Sequence, residues 1–370
     1  MPLSRAFFLA TVVSVVGCTE TTFEPTRQPG ALRQTQYDAR QYEVRDLGIF
    51  AGQPTQAMDI DKHGSVYGRY GTGSAMRSYR WTERSGFDDL GGIGGTPFMF
   101  LSVNDHGLLN GSIFTATGQR AAAWLPHRGF VLLDPEFPGN TLGNNDRGEV
   151  AGTRFEPAGV SRAFVWSEKE GLLLVPVSVD GGVVTRSTAA DVDDVGIVAG
   201  TVTFTSAGVS RTRAFVWDET NGTTLLPTVG PANFGVTYIS EEGLVLGASE
   251  MRGPRPGDIR RTPVASNPGT IPVHAWKWSA AGGLVDLGTL GGNHSVAWNA
   301  DRAGNVYGWA SDAGGVQRAV KWPAAGGVID LGGLGGNTLT GGLNKHGVVA
   351  GWSTPTGGVT HAVIFTPRKK

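Results

Sequence analysis

The chain has 370 residues, 57 of them Gly and 20 Pro, with 17 % charged residues and a formal net charge of -1. A near-zero charge excludes nucleic acid as the main partner, because phosphate binding needs a surplus of Lys and Arg on one face. One cysteine leaves nothing to build a disulfide framework from, so stability has to come from packing.

Residues 1–18 read MPLSRAFFLATVVSVVGC, a short start with Arg5, an apolar run from Ala6 to Val16, then Gly17 and Cys18. The run is too short to cross a bilayer as a helix and reads as an export signal. Its end, Val15-Val16-Gly17-Cys18, resembles the bacterial lipobox, which implies lipidation of Cys18. The alternative is an ordinary signal peptide. Thr19, rather than Asp, follows the cysteine, and on the same resemblance this implies an outer-membrane lipoprotein on the periplasmic or cell-surface side. Attachment would be by the lipid anchor only. Residues 19–40 are rich in Thr, Gln, Arg and Pro without apolar periodicity, the composition of a flexible tether.

From about residue 41 to 368 one pattern recurs: a turn residue, a Gly, an apolar residue, and a second Gly four positions after the first. It reads DIDKHGSVYG, SVNDHGLLNG, GNNDRGEVAG, DVDDVGIVAG, YISEEGLVLG, NADRAGNVYG and GLNKHGVVAG. The first glycines are Gly64, Gly107, Gly148, Gly196, Gly243, Gly304 and Gly347, spaced 43, 41, 48, 47, 61 and 43 residues apart. An aromatic keeps step: Trp81, Trp124, Trp166, Trp217, Trp278, Trp322 and Phe365. Within a unit the apolar residues alternate over short runs such as AMDID, VYGRY, SYRWT and FDDLG, the period of strands. Asn or Asp closes a tight turn on its own backbone, and Gly takes the positive φ that other residues resist. The second Gly removes bulk so that another backbone can come close.

Four short antiparallel strands per unit, with no helical pattern, predict an all-β fold: a seven-bladed β-propeller of four-stranded antiparallel blades. The ends complement each other. YEVRDLG, residues 42–48, lacks an aromatic strand before it, and HAVIFTP, residues 361–367, lacks a DLG run after it. The first strand is therefore expected to complete the last blade and close the ring. A β-helix is the alternative, with shorter, more uniform coils and capped ends. Blade five carries a long insertion, 251–272, with four Arg and five Pro; loops of this length are functional or disordered, and a partner-binding or lid role is open.

HAWKW, HAVIF and the two RAFVW runs, with DLGTLGG and DLGGLGG, resemble the bacterial extracellular HAF-repeat family over about residues 42–367. The resemblance implies an exported, propeller-like protein, commonly a lipoprotein, and it implies no reaction.

Four positions before each landmark aromatic stands a cation: Arg77, Arg120, Arg162, Arg213, His274, Arg318 and His361. The hairpin geometry places five of them by an Asp: Arg77 by Asp89, Arg120 by Asp134, His274 by Asp286, Arg318 by Asp330 and His361 by Asp46. Cross-strand pairs of this kind are structural latches. Arg162 and Arg213 have no such carboxylate and stand out as candidate ligand-binding residues. Three tryptophans fall outside the repeat, Trp298, Trp309 and Trp352. Trp309 and Trp352 follow the second Gly of adjacent blades, where the first blade has Arg69. Trp309, Trp352 and Arg69 side by side on a rim would suit a sugar or a cationic side chain.

Catalytic signatures are missing: no His-Glu-x-x-His, Gly-x-Ser-x-Gly or phosphate-binding loop, and no clustered Cys and His for zinc. DIDKHG and DVDDVG lack the acidic run and terminal Glu of a calcium loop. The sequence therefore predicts a monomeric, non-catalytic binding or scaffold module for an envelope protein or glycan, with no cofactor and no metal. The alternatives are a polysaccharide lyase or hydrolase working from its loops, and a rigid spacer. A carboxylate pair or His-Tyr cluster at the mouth of a central channel would favour the enzyme.

Overall fold

The computed structural model describes residues 41–228, 234–250 and 272–368. The lipobox, Cys18, the tether 19–40 and all of the insertion but Pro272 lie outside the described residues.

The fold is all-β and antiparallel. The first glycine of each pair sits in the turn between the first and second strands of a four-strand run, and the second glycine lies on that second strand. The first run is Thr55–Ile60, Val66–Tyr70, Arg77–Thr82 and Gly86–Asp89, paired in sequence order. Three of the five hydrogen-bonded sheets are larger than isolated four-strand units: the sheets have four, five, eight, eight and four strands. Two single parallel bridges make the larger ones: Ser161 to Arg186 joins the third run to the fourth, and Val273 to His294 the fifth to the sixth. The short Gly92–Ile93 strand adds the fifth member to the second sheet. In the last sheet Tyr42–Gly48 pairs antiparallel with His361–Pro367, Tyr42 opposite Pro367 and Arg45 opposite Ile364.

The turns behave as the sequence predicts. Asp61 Oδ1 accepts the N–H groups of His63 and Ser65 at 2.8 and 2.9 Å, and the Gly64 N–H donates to the Asp61 carbonyl. Asn104, Asn145, Asp193, Asp301 and Asn344 repeat the arrangement, and Ser240 supplies its hydroxyl in the fifth turn. The first glycines all have φ between +75° and +89°, a region closed to most side chains.

The core is divided among contacts between successive runs. Phe98 and Phe100 of the second run pack on Tyr67 of the first, and Phe164 and Trp166 of the third on Leu108 and Leu125 of the second. Trp276 packs on Leu226, and Trp322 on Leu246. One cluster joins the last run to the first, Ala350 and Ala362 against Ala57, Tyr79 and Trp81. Burying such an aromatic stabilises by roughly 1.5–3 kcal/mol. Trp81, Trp166, Trp322 and Phe365 are buried, while Trp124, Trp217 and Trp278 are only half-buried. In four runs the aromatic two residues earlier, Tyr79, Phe164, Phe215 or Trp276, is more deeply buried than the landmark.

Three of the five expected latches form. Arg77 donates from Nε to Asp89 at 2.6 Å, and His274 and His361 meet Asp286 and Asp46 at 3.0 and 2.9 Å. Arg120 instead reaches the Pro135 carbonyl and Thr117, because Asp134 is turned to cap the Glu136 and Phe137 N–H groups. Arg318 pairs with Asp312 at 3.0 Å, while Asp330 accepts the Gly332 N–H. Arg162, expected to have no carboxylate, pairs with Glu156 at 3.7 Å, and Arg213 is likewise engaged.

Candidate functional site

Each inner strand carries a β-bulge just before its turn. The register slips between Ala57 and Asp59, Phe100 and Ser102, Thr141 and Gly143, Ala189 and Asp191, Val236 and Tyr238, and Ala297 and Asn299. In the last run it slips between Thr340 and Leu343. A bulge sets an extra residue against one partner and re-aims the neighbouring side chains. It also explains the second glycine: a Cβ on Gly68 would collide with the Gln56 carbonyl, one on Gly200 with the Thr188 carbonyl, and one on Gly351 with the Leu339 carbonyl.

The bulged residue and its successor face one shared cavity of about 460 Å³, lined from all seven inner strands. The successor lies five residues before the turn glycine: Asp59, Ser102, Gly143, Asp191, Tyr238, Asn299 and Gly342. This column was not singled out from the sequence. Its signal was present, since the frame around it is constant while its chemistry changes in nearly every copy. Asp59 and Asp191 lie inside the two stretches compared above with calcium loops.

The two carboxylates are built in. Asp59 accepts the Ile60 and Val103 N–H groups at 2.8 and 2.9 Å, and Asp191 accepts the Ile239 N–H at 3.1 Å. Gly342 and Gly143 make room for them, because a Cβ at either would overlap the Asp59 or Asp191 carboxylate. Burial pushes the Asp59 carboxyl up to about 7, against the pull of its backbone donors, and raises Asp191 well above the usual range. Glu241 also rises to about 7, through burial and the nearby Asp194, Asp193 and Asp146. The Tyr238 phenol is raised by burial and by the charges of Asp191, Glu241, Glu242 and Asp59. Carboxyls raised in this way keep their protons to higher pH than exposed ones do.

Around the cavity the turns are stitched together. The Asn104 side-chain amide donates to the Asn145 carbonyl, that of Asn145 to the Asp193 carbonyl, and that of Asn344 to the Asp61 carbonyl. The Asp105 N–H donates to Asp146, the Asp146 N–H to Asp194, and the Asp194 N–H to Glu241.

The predicted site residues separate. Trp298 is the bulged residue of the sixth inner strand, 37 % exposed, and lines the cavity with half-buried Trp352. Trp309 is only 4 % exposed, and Arg69 donates from Nε to the Phe100 carbonyl at 2.7 Å, its pKa lowered by burial. Trp309, Trp352 and Arg69 therefore form no open patch, because Trp309 is buried and Arg69 is engaged by the neighbouring run. Among the described residues no group of three His, Cys, Asp or Glu side chains is placed to hold a metal ion.

No protein-family model matches the chain, and no curated protein matches it in sequence. Among solved structures it is similar to a putative TolB from Agrobacterium tumefaciens, at 13 % identity and a TM-score of 0.42, covering 70 % of this chain and 94 % of that one. It is similar to the Porphyromonas gingivalis dipeptidyl peptidase 4, at 11 % identity and a TM-score of 0.46, covering 86 % of this chain and 58 % of that one. It is similar to the BP39L lectin from Burkholderia pseudomallei, at 12 % identity and a TM-score of 0.45, covering 87 % and 94 %. Likenesses this distant decide nothing about function, which has to be read from the geometry of this chain.

Proposed function

We propose that the chain is a seven-bladed β-propeller of the HAF-repeat type, exported as an outer-membrane lipoprotein through Cys18, that binds an envelope protein or glycan without transforming it. Seven runs, seven core clusters that each join successive runs, and the pairing of Tyr42–Gly48 with His361–Pro367 support a closed ring. Bonds between the ends add to this: the Thr55 N–H donates to the Thr360 carbonyl, and the Ala362 N–H to Thr55 Oγ1.

The cavity carries the binding reading. Seven inner strands of one design supply seven different residue pairs to it, from Met58-Asp59 to Trp298-Asn299 and Gly341-Gly342. A purely structural ring has no use for that variety. A volume of about 460 Å³ suits a monosaccharide or one protruding side chain. A screen of glycans and envelope proteins against the full chain tests it. Binding should be lost when Trp298 and Trp352 are both changed to Ala, and unchanged binding overturns the assignment to this cavity.

A second reading, hydrolysis or lysis of a polysaccharide, is favoured by the raised carboxyls of Asp59, Asp191 and Glu241 around one cavity. Release of reducing or unsaturated ends, abolished by Asp191→Asn, would carry it.

A further inference from the structure

We propose that the chemical group this cavity takes is a primary ammonium on a small molecule; the proposal rests on the cavity being the binding site. Three independent observations converge on it.

The first is charge. Asp59, Asp105, Asp146, Asp191 and Glu241 line the cavity, against a lining cation, Lys345, whose Nζ already lies 3.6 Å from Asp105. Asp191 is buried and Asp59 half-buried, and among the described residues both carboxylates accept backbone N–H groups while no cation pairs with either. An ammonium would supply the countercharge that lets both carboxyls ionise, whereas a neutral ligand supplies none and an anion would oppose their ionisation.

The second is the aromatic surface. Trp298 is held out of the core by its bulge and Trp352 lines the same space. An ammonium over an indole face is attracted by the ring quadrupole, most strongly where water is excluded.

The third is Thr340. It lines the cavity and is fully buried, and its Oγ1 has no hydrogen-bond partner among the described residues. A buried hydroxyl without a partner costs free energy until a ligand satisfies it. The Thr340 hydroxyl oxygen, Asp59 and Asp191 can all accept, and an ammonium offers three donors and no acceptor. An amine of a polyamine and the amine of an amino sugar share this chemistry.

Calorimetry on the purified full chain at pH 8 tests the proposal with spermidine, glucosamine and N-acetylglucosamine. Spermidine or glucosamine should bind and N-acetylglucosamine should not; which amine binds tells the sources apart. Asp191→Asn and Trp298→Ala should each weaken the amine by roughly tenfold or more, whereas Glu168→Gln, at an exposed pair with His127, should leave it unchanged. If a variant fails to fold, the wild-type protein still decides: the amine should raise its melting temperature and the acetylated sugar should not. Equal binding of the two sugars, or unchanged amine affinity in both folded variants, overturns the ammonium assignment and leaves the cavity as a binding site. Binding of none of the three, with a partner from the screen still lost in the tryptophan variant, does the same. Loss of both results removes the two readings together.

Discussion

The inner and outer edges of the sheets use the repeat in opposite ways. At the inner edge the turns share one bonding pattern, the first glycines share one range of φ, and four of the seven turns hand a hydrogen bond to the next. At the outer edge the cations recur, yet only Arg77, His274 and His361 keep the expected Asp, while Arg120, Arg162 and Arg318 settle on other partners. Backbone geometry at the inner edge tolerates no substitute, whereas an exposed ion pair contributes so little that partners can drift. A constant inner frame is also what leaves one column of residues free to vary inside the cavity.

The largest test concerns the outer strand on which the proposed closure rests. Tyr42–Gly48 brings a ladder against His361–Pro367, and buried Tyr42 packs on Tyr307, Val363 and Phe365. A chain beginning at residue 49 should lose several kcal/mol relative to one beginning at 41, since a buried aromatic and a strand's pairing go together. Chemical denaturation of the two truncations measures this. Equal stability would remove the proposed ring closure.

Next comes the inner edge itself. Gly200→Ala places a methyl group on the Thr188 carbonyl, a backbone group that no side-chain rotation can move aside. The cost should reach or exceed the roughly 1–3 kcal/mol typical of overpacking. A substitution at Gly222, where a Cβ would meet nothing but φ is +67°, should cost closer to the roughly 1 kcal/mol of a left-handed backbone alone. Similar losses at both sites would deny the inner edge its special rigidity.

These glycines show how far the sequence could be read. The glycine pairs announced the turns and strands, and the mismatched ends announced that the first strand lies beside the last, because each follows from local backbone rules. The site was less legible. Trp298 was visible as an exception to the repeat and does line the cavity, but Trp309 was an equally good exception and is buried. A bulge decides the difference, and no residue type marks a bulge in the sequence. Asp59 and Asp191 were hidden for a related reason: next to turn Asp residues they read as turn chemistry, and only the bulge turns them inward. Arg162 shows the reverse case, since its partner Glu156 lies in a connection whose path the repeat does not fix.

A pH titration should separate the edges by sign. The Asp59 carboxyl is held near 7 in the fold and near 3.9 in an unfolded chain, so the folded state keeps its proton more firmly. Its contribution therefore favours folding at low pH and declines as pH rises from about 4 to about 7, then levels off. Asp59→Asn should flatten this decline in denaturation curves taken between pH 5 and 8. A decline of unchanged slope would mean that Asp59 is not the group responsible.

The smallest effect belongs to the outer latch. The Arg77 guanidinium, with Tyr70 and the Gly91 N–H, holds Asp89 down to about 2. Its folded value is depressed, so the contribution is present above about 3.9 and lost as pH falls toward 2, the opposite sign to Asp59. Both side chains are partly exposed, so Arg77→Ala should cost no more than roughly 1 kcal/mol and less in high salt. A loss comparable to that of Gly200→Ala would mean that the latches, despite their drift between partners, carry as much of the fold as the glycines do.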